Sequence, residues 1–226
     1  MNLHEHEIWV AMSDSIVLQG RLVVPEGARA VVVFGQATAE GRYDEHSRGL
    51  AEVLCGSGLA TLMVDLLTED EDSDRELRLD VDLLARRMVA TSRWLPQLQL
   101  TRGLGVGYLG TGSAAAAALV AAGREPHRIG AVVTRAARLD LLDEEQLASV
   151  WAPTLLLAPR HDASSLQIHR EAIRHMATEK HLELITLGDS PLDHGGGVEY
   201  QGRLAREWFV RHLAVVEQPW NSFAAG

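Results

Sequence analysis

The chain has 226 residues, 46% of them hydrophobic and 23% charged, which are ordinary values for a folded globular protein and leave no polar tract long enough for a sizeable disordered segment. Its net charge is −10, and the basic residues, all arginine except Lys180, are scattered and form no stripe, which excludes nucleic acid as an expected partner. No window approaches the roughly 20 apolar residues of a membrane span, and the opening MNLHEHEIWV has neither a basic leader nor an apolar signal segment, so no membrane partner and a cytoplasmic location are expected.

In chain order, His6 to Met12 and Ile16 to Val24 read as strands whose three-residue connection, Ser13-Asp14-Ser15, joins only antiparallel neighbours. Ala30 to Gly35 is a buried strand, followed by a helix with Leu50, Val53 and Leu54 on one face and a stop at Gly56 and Gly58. Leu59 to Asp65 is the next strand. The acidic run from Glu69 to Asp74 reads as a solvated loop, because it lacks the glycine and closing glutamate of a calcium site. Ser73 and Glu76 have capping-box spacing, and the stripe Leu77, Val81, Leu84, Met88, Leu95 predicts one long helix running to Pro96.

Leu104 to Leu109 supplies a central strand, and GTGSAAAAALVAAG reads as a glycine-rich turn entering a helix of small residues that ends at Gly123. Strands follow at Ile129 to Thr134, Thr154 to Ala158 and His181 to Leu187, with a last helix carrying Leu204, Trp208 and Leu213. The alternation predicts an α/β fold with a mostly parallel sheet of about eight strands, opened by an antiparallel hairpin and flanked by helices. With no linker composition anywhere, one domain over 1–226 is expected. Residues 214–226, which lie outside the residues that the structure describes, are expected as an extended C-terminal tail in which Trp220 and Phe223 either pack back or meet a second subunit of a homo-oligomer.

Five blocks carry a resemblance: RLVVPEGARAVVVF at 21–34, LATLMVDLLTEDED at 59–72, GVGYLGTGSAAAAALVAA at 105–122, WAPTLLLAPRHD at 151–162 and REWFVRHL at 206–213. In this order they resemble the dienelactone-hydrolase-like branch of the α/β-hydrolase superfamily. The resemblance implies an ester or lactone as small-molecule substrate, no cofactor, and a nucleophile, an acid and a histidine base, with the nucleophile on the sharp turn after the central strand.

That turn allows two registers. If Gly110 is the first glycine of the elbow, Gly112 stands at the nucleophile position and the hydroxyl is missing; glycine adopts the strained elbow backbone at little cost. A shift of one residue makes Ser113 the nucleophile, whose plain structural role would otherwise be a helix N-cap. The resemblance makes Asp162 the acid, with a helix N-cap as its bland alternative. It makes His194 the base, although an ungapped match falls nearer Pro191. The oxyanion donors are the backbone N–H of Ala114 and one from Gln36 or Ala37, in a loop that departs from the family's His-Gly-rich pattern. Two functions follow: a serine esterase or lactonase using Ser113, His194 and Asp162, or a catalytically degenerate hydrolase fold retained for ligand or partner binding.

Other chemistry finds little support. The lone Cys55 reads as a packed core thiol. The pairs His4/His6 and His169/His175 have no supporting metal-ligand motif, and GVGYLG lies inside a strand instead of opening a helix as a dinucleotide site requires.

Overall fold

The computed structural model of the protein describes residues 2–13, 16–186 and 197–213. Eight strands, β1 (Leu3–Ala11), β2 (Val17–Pro25), β3 (Ala30–Gln36), β4 (Leu59–Asp65), β5 (Gly105–Thr111), β6 (Ile129–Arg135), β7 (Thr154–Pro159) and β8 (Lys180–Ile185), form one sheet in the order β1-β2-β4-β3-β5-β6-β7-β8. β1 and β2 pair antiparallel over nine residues as the expected hairpin, and β2 runs antiparallel to β4. Every pairing from β4 through β8 is parallel. This is the mostly parallel, helix-flanked sheet that the alternation predicts, in the arrangement that the resemblance to α/β hydrolases implies.

The central strands are apolar on both faces because both are covered. On one face lie α1 (Glu45–Cys55) and α8 (Val198–His212), which bury Leu50, Leu54, Trp208 and Phe209 against Phe34, Met63 and Val133. On the other, α4 (Val81–Trp94) and α5 (Ser113–Arg124) pack over Val31, Val33 and Tyr108, while α7 (Ala163–His175) lies on β7 and α6 (Glu144–Ala148) packs between α5 and α7. No helix among the described residues is long and apolar enough to cross a membrane.

The segment after β4 differs from the single long helix expected. It forms α2 (Glu69–Asp72), α3 (Arg75–Leu79) and then α4. The capping box sits at Thr68 and Glu71, not at Ser73 and Glu76, while Asp74 caps α3 and Asp80 caps α4. Each aspartate accepts a backbone N–H of the following turn, an alternative to continuing the preceding helix. The acidic run is therefore partly helical, as two successive helix starts that favour negative charge.

Arg87 of α4 braces this segment. Its guanidinium donates to both carboxylate oxygens of Glu71 and to the carbonyl of Leu66, each at 2.6 Å. The contact with Arg87 holds the Glu71 carboxyl well below its ordinary 4.5, at about 2. Because the folded value is depressed, the stabilisation is complete above pH 4.5 and is lost as pH falls towards about 2. Glu71→Gln is expected to remove this part of the acid dependence, measured as a shallower fall of urea midpoint across that window than in the parent protein.

Strand β5 and helix α5 approach closely at Gly110. A Cβ on Gly110 would sit 2.6 Å from the carbonyl oxygen of Ala114 and 2.7 Å from the nitrogen of Ala115, both backbone atoms. Neither can rotate away, so the glycine and the alanines above it set the spacing of the layer. Gly110→Ala is expected to cost about 1–3 kcal/mol of stability through overpacking, read from the denaturant midpoint.

Candidate functional site

Strands β3, β5 and β6 end at a cleft of about 580 Å³, a volume suited to a small molecule, whose lining includes Gln36, Ala37, His46, Gly112, Ser113 and Arg135. The cleft exists because three parallel strands deliver their following loops to one edge of the sheet.

The turn from β5 into α5 is made by Gly112, at φ 61° and ψ −124°. L side chains avoid this region, yet space is not the obstacle: a Cβ at Gly112 would meet no atom within 4 Å. The turn is fixed by its own backbone. The Gly112 N–H donates to the Arg135 carbonyl at 3.1 Å, and the Gly112 carbonyl accepts from Ala116 at 3.3 Å and from Arg138 at 3.0 Å.

Ser113 is the first residue of α5 and is 9% exposed. It is not the N-cap, a position held by Gly112. Its hydroxyl donates to the carbonyl of Arg78 in α3 at 2.6 Å, tying the start of α5 to the segment folded over it. Gln36 and Ala37 line the cleft with Gly112 and Ser113, whereas Ala114 lies in the core at 1% exposure. Asp162 is exposed, caps α7 by accepting the Ser165 N–H at 2.9 Å, and is not part of the cleft lining. His194 lies outside the described residues.

Two cleft-lining residues, His46 and Arg135, and Gln201 buried behind them are marked by no sequence motif. Gln201 of α8 is fully buried, and its Oε1 accepts the Arg135 Nε–H at 2.8 Å while its Nε2 donates to the Thr186 carbonyl at 3.3 Å. A guanidinium has only donors, so the amide orientation is determined. His46 of α1 meets the same oxygen through Nε2 at 3.0 Å. An amide oxygen only accepts; His46 therefore carries its hydrogen on Nε2. The knot joins α1, β6 and α8, and no local sequence signal marks it.

Elsewhere, Cys55 is buried with its sulfur 3.3 Å from the Thr61 hydroxyl, and burial pushes its thiol up, as suits a core residue. Among the described residues no three His, Cys, Asp or Glu side chains group as metal ligands.

No protein-family model matches the chain. The crystal structure of a dienelactone hydrolase from Anabaena variabilis is 37% identical, with a TM-score of 0.85, covering 93% of this chain and 99% of that one. An esterase of Pyrococcus furiosus, at 16% identity, has a TM-score of 0.71 with 94% of each chain covered, a likeness of fold alone. Two Mycobacterium tuberculosis proteins named "Putative phosphoribosyl transferase" are 36% identical over 211 residues, or 93% of this chain. The chain spans 47% of the length of these curated relatives.

The Ser113 hydroxyl is a buried donor with a backbone partner. Ser113→Ala is expected to lower the free energy of unfolding by about 0.5–1.5 kcal/mol, the net worth of one such bond, in a urea titration.

Proposed function

The chain belongs to the dienelactone-hydrolase-like family of α/β-hydrolase folds, and from that premise we propose that its cleft takes small esters or lactones but does not form an acyl-enzyme with them. One observation carries the reading: the residue on the strained turn between β5 and α5 is Gly112, which has no side chain to attack a carbonyl. The neighbouring hydroxyl supports it, since Ser113 gives its hydrogen to the Arg78 carbonyl, an acceptor that takes up no proton and so does not activate it. What remains suits recognition. With Gly112 at the turn, the backbone N–H of Ser113 and that of Ala37 are the donors for an ester carbonyl oxygen, both on the cleft lining.

A second reading keeps hydrolysis. Ser113 lines the cleft, and the Anabaena dienelactone hydrolase is 37% identical, which favours an ester hydrolase in which Ser113 attacks. His194 would take its proton, Asp162 would orient the imidazole, and water would release the acyl group. Phosphoribosyl transfer enters neither reading, because that name covers proteins of which this chain matches 47%.

A fluorophosphonate probe and an NMR titration separate the readings. The expected result is no covalent labelling, together with shifts of the Gly112 and Ser113 amides on adding short esters and lactones. Labelling that disappears in Ser113→Ala would establish the second reading instead. Absence of both labelling and amide shifts would remove an ester site altogether.

A further inference from the structure

The loop from Ala37 to Asp44, between β3 and α1, is a partition between two cavities. Ala37, Thr38 and Gly41 face the cleft. Ala39, Glu40 and Arg42 face a second cavity of about 260 Å³ on the far side, which Asp65 at the end of β4 also lines. A wall one loop thick keeps its shape only if something braces it, and this loop includes Glu40 at φ 60°, a conformation that residues other than glycine seldom hold unaided.

The brace comes from Asp65. Asp65 is 1% exposed and accepts the backbone N–H of Glu40 at 3.1 Å and of Arg42 at 2.8 Å, and it also takes the Arg42 guanidinium in a direct ion pair. Arg42, 7% exposed, reaches on to Gln19 of β2 at 2.6 Å and lies over the Tyr43 ring, 4.4 Å from its centroid. Just before the loop, the Gln36 carbonyl accepts the Leu66 N–H at 2.8 Å, so both ends of the partition are tied to the end of β4. Burial pushes the Asp65 carboxyl up against these partners, the state of a group that depends on all of them.

We infer that Arg42 and Asp65 are positioning residues for the cleft: from the far side of the loop they hold the wall that presents the Ala37 N–H to a bound ester or lactone. The inference rests on the ester reading of the cleft. Neither residue touches the ligand, and their effect is transmitted through the backbone of residues 37–41. Breaking the pair is therefore expected to loosen that wall and weaken binding in protein that is still folded.

The test compares wild type with Arg42→Met, which keeps the apolar stem, and with Asp65→Asn should that variant fail to fold. Amide hydrogen exchange is followed across the chain, and dissociation constants are measured for γ-butyrolactone and phenyl acetate at a temperature where each variant is fully folded. Exchange of residues 37–43 is expected to rise tenfold or more with the interior of α5 unchanged, and both dissociation constants to rise tenfold or more. An even rise in exchange over the whole chain, or unaltered affinity in a variant whose loop has loosened, overturns the inference. If neither compound binds wild type, the ester reading fails on its own account, and the exchange pattern alone decides whether the pair braces the loop.

Discussion

The distance at which α5 can lie on β5 governs the top of this molecule. At Gly110 the strand meets the helix backbone with no room for a side chain, and the residues from Ala114 to Ala118 are all buried alanines. A helix of small side chains packs closely and gains its stability from contact area with the sheet, not from large individual residues. Because the helix starts so close to the strand, the chain must reverse direction within one residue, and Gly112 does so in a backbone conformation that is costly for any other residue type. The cleft, its backbone donors and the placement of Ser113 follow from that reversal.

Around this centre, charged side chains secure the loops. Arg87 gathers Glu71 and the Leu66 carbonyl, Arg42 gathers Asp65 and Gln19, and Arg135 shares the oxygen of Gln201 with His46. Each of these guanidinium groups joins segments distant in sequence, and each ties at least one of them to the end of a strand or to the segment just beyond it. Such networks add less net stability than their distances suggest, because burying charge is expensive. Their value is geometric, since a guanidinium with several donors in fixed directions specifies the relative position of everything it touches.

The fold was legible because its signals are repetitive. Short, β-branched-rich apolar runs such as AVVVF and TLMV, bounded by turn residues, read as strands covered on both faces, and a three-residue connection can only join antiparallel neighbours. The breaks at Asp74 and Asp80 were hidden by the same regularity: the stripe from Leu77 to Leu95 keeps helical period across Asp80, and the cap is one side chain among several acidic ones. The site was less legible because its partners are remote. Ser113 bonds a carbonyl 35 residues away and His46 meets Gln201 across 155. The choice between two elbow registers turned on where a strand ends to within one residue, a matter of a single φ angle that letters do not encode.

The empty space above Gly112 bears on what the turn can accept. The Cβ of a serine at this position would meet no neighbouring atom within 4 Å, its burden being backbone strain of about 1–3 kcal/mol. A single substitution at this turn therefore decides whether a side chain stands at the tip of the middle strand, and the layers beneath need not move to admit its Cβ.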